Sequence, residues 1–446
     1  MSHWLQSITA KVIGVGFLTL LMLWPLAEVN GLVREREGLR AQATQQIARS
    51  WGGRQVLGGP VLVVPTREEE FRKDGAVWVD GAETLLADSL RIEAVLDTST
   101  RHYGIYATPV YIADVTLDSA FSAEDLAQAR AAATGVWQAG KAELRLPLSD
   151  TGGLQAVEAL RINGRPARFA SSSARVGGHN VVVVPLDLDT LGAAPIHVEA
   201  RFRLAGTEAF GFLPLARSSA VKLRAPWPDP SFVGAALPQR QRVDAAGFEA
   251  EWQRLDLNRA FGQHWRSRDD QTVGQALDAA EFGVGLLQPV DVYQRNVRAG
   301  KYGLLVVALT FLVFFLFEML GRRRVHPVQY LMVGAALATF YVVLLAFSEQ
   351  IGFDLAYLAA GATVSLIVGG YVAGAWGSRR AGLLLGAALA LLYALLYGLI
   401  AAEQYALLAG ASVLLGALAL VMYLTRHIDW YPIEIVPVDP EREVPH

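Results

Sequence analysis

Apolar residues are distributed along the chain in two ways. Six long runs are apolar nearly throughout: Val12 to Ala27, Tyr302 to Leu320, and then 328–348, 355–376, 381–401 and 405–424. A helix that crosses a bilayer needs ~20 mostly apolar residues. A helix packed in a soluble core shows a polar stripe or is shorter. Five of the six runs follow one another with only short loops between them, which predicts a polytopic helical bundle.

The roughly 270 residues between the first and second runs follow another rule. Residues 31–50 predict a helix. Leu32, Leu39, Ala43 and Ile47 fall near one face, charged residues crowd the others, and Gly52-Gly53 ends it. Beyond it the period falls to two. Val198, Ala200, Phe202 and Leu204 alternate with Glu199, Arg201 and Arg203, and Phe248, Ala250 and Trp252 alternate with Glu249 and Glu251. Val61–Val64 is a short apolar run between prolines, and Gly104–Phe121 holds further strand pattern. Asn163-Gly164 and Asp74-Gly75 are turn dipeptides, the charged run Arg67–Asp74 suits a solvated hairpin tip, and a helix is expected over Ala123–Ala133. Residues 270–300 look less regular. Many short strands separated by turns predict an antiparallel sandwich or a pair of packed sheets.

Basic residues orient these elements. Lys11 precedes the first run, Arg322–Arg324 follow the second, Arg379-Arg380 lie between the fourth and fifth, and Arg426 follows the sixth. The loops near Ser348–Asp354 and Ala401–Tyr405 carry no Lys or Arg. The positive-inside rule then puts both termini in the cytoplasm and residues 31–300 outside it, which reads as periplasmic. The first run resembles a signal peptide, but Pro25-Leu26-Ala27 followed by Glu28 makes a poor cleavage site, so it reads as an uncleaved anchor. The expected fold is a polytopic α-helical membrane protein of six transmembrane helices. A large β-rich, sandwich-like periplasmic domain is inserted between the first and second spans. Residues 1–30 form the anchor, 31–300 the periplasmic domain, 301–426 a five-helix bundle and 427–446 a cytoplasmic tail.

Composition narrows the chemistry. Only 18% of the 446 residues are charged, against about 25% in an average soluble domain. The absence of cysteine excludes disulfides, thiolate metal sites and a cysteine nucleophile. A net charge of −3 argues against nucleic acid as a partner.

Several strings resemble the CreD family of bacterial inner-membrane proteins. They are ALTFLVFFLFEML at 308–320, VHPVQYLMVG at 325–334, FYVVLLAFSEQIGF at 340–353 and LTRHIDWY at 424–431. LGGPVLVVP at 57–65, WPDPSFVGAALP at 227–238 and the aromatic pattern at 247–252 resemble it too. The resemblance implies an association with envelope integrity, with tolerance to certain colicins and with genes under a two-component regulator. It implies no particular reaction.

Candidate functional positions are few. Glu318 lies near the cytoplasmic end of the second span, with Arg322 four residues on as its expected partner. His326-Pro327 reads as a helix start, although His326 is also placed to contact lipid phosphate. Glu349, Asp354 and Glu403 gather at the outer ends of spans three to six. They read as solvated loop carboxylates, or as a cation entry or divalent-ion site. His427, Asp429 and Trp430 suit an interfacial anchor after the last span. Trp227 opens the Trp-Pro-Asp-Pro segment, which reads as a rigid turn or, if exposed, a docking loop. Gly370/Gly374, Gly382/Gly386 and Ser412/Gly416 put small residues on helix faces, predicting close helix packing and leaving a homo-oligomer contact open. No spacing of a known catalytic or metal motif occurs, and no cofactor is expected. The favoured function is non-enzymatic: an envelope protein whose outer domain binds another envelope component, in contact with the lipid bilayer. A transporter or lipid-handling protein is the rival, and a periplasmic cell-wall enzyme comes third.

Overall fold

The computed structural model describes residues 8–72, 75–192, 194–286, 292–320, 325–401 and 406–426. Two compact units emerge, one formed by Leu39–Pro289 and the other by Met1–Gly38 together with Val290–His446.

Among the described residues the apolar runs are helical, the first broken at Met22 and the second beginning at Gly303. The chain begins with Ile8–Leu21 and Leu23–Trp51 and later forms Val292–Lys301, Gly303–Leu320, Pro327–Ile351, Phe353–Ala375, Arg379–Ala401 and Ala406–Thr425. Among the described residues four helices are long and apolar enough to cross a membrane. The pair Val292–Lys301 and Gly303–Leu320, bent by 44°, makes a fifth. The last helix is apolar but shorter, counted over Gly410–Thr425. Local chemistry sets the breaks. Gly352 separates two helices at φ +80°, and Gly377 turns the chain at φ +60°; both are conformations that a Cβ disfavours.

The helical unit packs around aromatic side chains. Phe340 meets Tyr341, Tyr357 and Tyr393 with ring centroids 4.9, 5.4 and 4.4 Å apart. Glycine sets the closest helix approach, on a face other than the one the sequence pattern suggested for the fourth run. A Cβ on Gly382 would lie 2.4 Å from the Gly369 carbonyl oxygen, whereas one on Gly370 or Gly374 would meet nothing within 4 Å. The packed stripe is Ser365, Gly369 and Ala373, at four-residue spacing, against Gly382 and Gly386. A shift of one residue on a helix turns a side chain by about 100°, enough to leave Gly370 and Gly374 off the contact. Gly416 likewise meets nothing within 4 Å.

In the other unit the helix to Trp51 ends at Gly52, with φ +135°, as its Gly-Gly signal predicts. The 29-residue strand Gly75–Tyr103 then organises the domain. Its first half pairs with Val61–Arg72. Its second half pairs antiparallel with Tyr106–Phe121 and parallel with Ala216–Ala225. These strands belong to a 14-stranded sheet, and Gln55–Gly58, Ala209–Leu213, Phe282–Leu286 and Pro230–Gly234 form a second, 4-stranded one. The two sheets meet through Phe212, Trp252 and Phe282, with centroids 5.8 to 6.4 Å apart. Alternation works as read: Val198, Ala200, Phe202 and Leu204 are buried and their charged neighbours exposed. The sheets are mixed, however. Gln55–Gly58 also runs parallel to Ala209–Leu213, so long crossovers replace two of the hairpins that an antiparallel sandwich would use.

Other local expectations meet the structure directly. Ser122 caps the helix Ala123–Ala132 by accepting from the Asp125 N–H. Asn163 and Gly164 both have positive φ in a tight hairpin. Of the Asp74-Gly75 turn, residue 74 lies outside the described residues, and the register pairs Arg72 with Gly75 across it. Residues 270–300 are more regular than the sequence reading: they hold the helix Asp270–Ala280, the strand Phe282–Leu286 and the start of Val292–Lys301. Phe282 and Val284 alternate with two glycines, and so short a run gives little periodic signal.

Candidate functional site

In the helical unit carboxylates meet cations and tyrosines at two places, near the start and near the end of the helix Pro327–Ile351. At the first, Glu318 stands on the last turn of Gly303–Leu320 with its side chain only 3% exposed. A lone carboxylate there would pay a large desolvation cost. Three donors offset it. The Lys11 ammonium lies 2.5 Å from Oε1, the Val325 N–H donates to the same oxygen at 3.2 Å, and the Tyr330 hydroxyl donates to Oε2 at 3.0 Å. Phe311 and Phe314 hold the Tyr330 ring edge-on, with centroids 5.6 and 5.1 Å away. The partner that the sequence suggested, Arg322, lies outside the described residues. Lys11 entered the sequence reading only as an orientation charge. Beside this site His326 caps its helix as expected, its Nδ1 accepting from the Val328 N–H, with Pro327 at the first helical position.

At the second place the short helix Val292–Lys301 meets the ends of two longer ones. The Tyr293 hydroxyl donates to Glu349 at 3.0 Å, Arg295 bonds Asp354 at 2.8 Å, and buried Asn296 donates to buried Ser348 at 2.9 Å. Arg36 approaches Glu349 to 3.8 Å, and the Tyr397 hydroxyl donates to Asp354 at 2.8 Å. This corrects the reading of Glu349 as a solvated loop carboxylate: its side chain is 10% exposed and partnered. Asp354, 61% exposed, keeps more of its water. Glu403 lies outside the described residues, as do His427, Asp429 and Trp430. Among the described residues no three His, Asp or Glu side chains gather as a metal site would require. Arginine and tyrosine partners instead make this a helix clamp. Tyr293, Arg295 and Asn296 escaped the sequence reading because their polar spacing in an otherwise ordinary segment carries no signal without the partners.

In the β-rich unit Trp227 is half-buried against the core and anchors its turn there, while Pro226, Pro228 and Asp229 around it are exposed. Buried Glu83 binds His264 at 2.6 Å and lies 3.4 Å from Arg266. On the outer face Lys222 bridges Glu249 and Glu251 at 2.7 and 2.8 Å. Hydrogen bonds from Lys222 and Arg224 hold the Glu249 carboxyl below its usual range, and the same two carboxylates raise the Lys222 ammonium.

Comparison with known proteins decides the family. The family model described as Inner membrane protein CreD matches residues 7–431. The chain belongs to this family. It is 32% identical over 429 residues to a protein from Escherichia coli (strain K12) called Inner membrane protein CreD. That alignment covers 95% of this chain and 94% of the relative. Family membership and the apolar helices support an inner-membrane location. The matched span includes both carboxylate sites of the helical unit and the whole β-rich unit, so none of them is an appendage to the family's length.

Proposed function

We propose that this chain is a non-enzymatic inner-membrane protein that contributes to envelope integrity or stress response by binding an envelope component through its β-rich domain. In this reading six helices span the bilayer, both termini are cytoplasmic, and the domain between the first two spans is periplasmic. The observation that carries it is the division of labour between the units. The β-rich unit has an aromatic core around Phe212, Trp252 and Phe282 and an exposed surface that mixes ion pairs such as Lys222 with Glu249 and apolar side chains such as Trp78. In the helical unit the described carboxylates Glu318, Glu349 and Asp354 are each engaged by cations and tyrosines, which suits a scaffold better than an ion-coupled carrier.

Photo-crosslinkers placed on the exposed face of the β-rich unit in living cells test this reading. Recovery of one reproducible envelope protein, lipid or wall fragment supports it. Recovery of none from several positions, together with lipid or ion movement by the purified protein in liposomes, replaces it with the transporter reading. A reporter fused near residue 150 that is active only in the cytosol removes the proposed topology.

A further inference from the structure

The hairpin joining the strands Gly75–Tyr103 and Tyr106–Phe121 projects beyond its sheet. The neighbouring strand Ile196–Thr207 stops at Thr207, opposite Val110, and the other neighbour, Ala216–Ala225, pairs no further than Val95. Past those points two strands continue alone to a turn at Gly104, φ +62°. The tip is not polar, as free hairpin tips usually are: Tyr103 is 57% exposed and Ile105 49%, with exposed His102 beside them, while the Arg101 guanidinium stacks back over the Trp51 ring, 4.3 Å from its centroid.

Both chain connections of the unit lie at this end. On the entry side, Trp51 Nε1 donates to the Tyr111 carbonyl, and the Thr44 hydroxyl sits 2.9 Å from that of Thr108. Seven helical residues and three strand residues both span about 10 Å, so helix and hairpin run side by side in one direction. From Thr108 the hairpin has four more residues to Gly104, roughly 13 Å, against about 7 Å from Thr44 to Leu39. The tip therefore reaches past the first residue of the unit. On the exit side, the Leu286 N–H donates to the Glu208 carbonyl and the Glu208 N–H to the Pro109 carbonyl, beside the root of the same hairpin.

We infer that the tip Tyr103–Tyr106 is a membrane-contact element, with Tyr103 and Ile105 entering the headgroup region. A domain carried between consecutive spans has both connections at one bilayer face, and the tip shares that end. An exposed tyrosine beside an exposed apolar side chain is a composition that settles at a membrane–water interface. The inference rests on the spanning-helix reading and holds whichever side the domain occupies.

The natural lack of cysteine makes the test direct. A polarity-sensitive fluorophore is attached singly to Ile105→Cys, Trp24→Cys or Leu257→Cys in the full chain, reconstituted in nanodiscs with or without nitroxide-labelled lipid. Leu257 is 86% exposed and follows Leu255, which aligns through Ser218 with Ser89, far from the tip along the same strand. Trp24, 72% exposed on the first apolar helix, reports the bilayer. The expected result is quenching of about twofold or more at positions 24 and 105 and little at 257. Quenching at 24 with position 105 behaving like 257 overturns the membrane contact and leaves the spans standing. No quenching at 24 overturns the spanning reading and this inference together.

Discussion

Glu318 and Asp354 are both carboxylates of the helical unit, each bound by one cation and one tyrosine hydroxyl, yet the first is 3% exposed and the second 61%. Burial changes what the same contacts are worth. At Asp354, water stands ready to replace Arg295, as it does for most exposed ion pairs. At Glu318 nothing replaces Lys11, so the pair ties the start of the first apolar helix to the end of Gly303–Leu320. The polar tie of the N-terminal helix is thus one pair with a buried carboxylate, beside the apolar packing of Val15 and Leu18, whereas Val292–Lys301 is tied by several contacts from Tyr293, Arg295 and Asn296.

Ways to break that contrast run from large to small. Lys11→Met leaves the buried carboxylate without its cation, and thermal unfolding in detergent should show a loss on the order of 2–3 kcal/mol, below the full cost of breaking a buried pair because Lys11 is one-third exposed and the Val325 and Tyr330 donors remain. The double change Lys11→Met with Glu318→Gln should recover most of it. A single change as harmless as one at Arg295 would end the distinction.

Next comes the backbone contact. Gly382→Ala drives a Cβ against the Gly369 carbonyl and should cost about 1–3 kcal/mol, while Gly374→Ala, with open space around it, should be neutral or slightly stabilising. Equal melting temperatures for the two would refute the assignment of the packed face. Asp354→Asn should cost less than about 1 kcal/mol, since the pair is exposed and Tyr397 still has an acceptor.

The smallest expected effect lies in the β-rich unit. Glu249 is depressed from its ordinary 4.5, so its contribution is present above that pH and lost as pH falls through the folded value. Lys222, raised from 10.5, loses its contribution as pH climbs through its own folded value. Lys222→Gln should lower the neutral plateau of a stability–pH profile slightly and so flatten both limbs, with little change at the acid and alkaline extremes. A pronounced drop at pH 7 would mean that this surface network matters more than its exposure implies.

Sequence by itself determined the helices of the apolar runs, the helix to Trp51 and the alternating strands. Each rests on a local period, and burial on one face or all round leaves a direct imprint on residue order. His326-Pro327 was legible for the same reason, because a cap is a contact between near neighbours. Tertiary structure alone decided that Glu318 binds Lys11, 307 positions away, that Gly369 rather than Gly370 meets Gly382, and that one long strand serves two halves of a sheet through a parallel partner. Those outcomes depend on which faces meet and on how chain segments cross over. No local pattern of polar and apolar residues encodes that information, because the energy that selects it arises only once distant side chains share a dry interior.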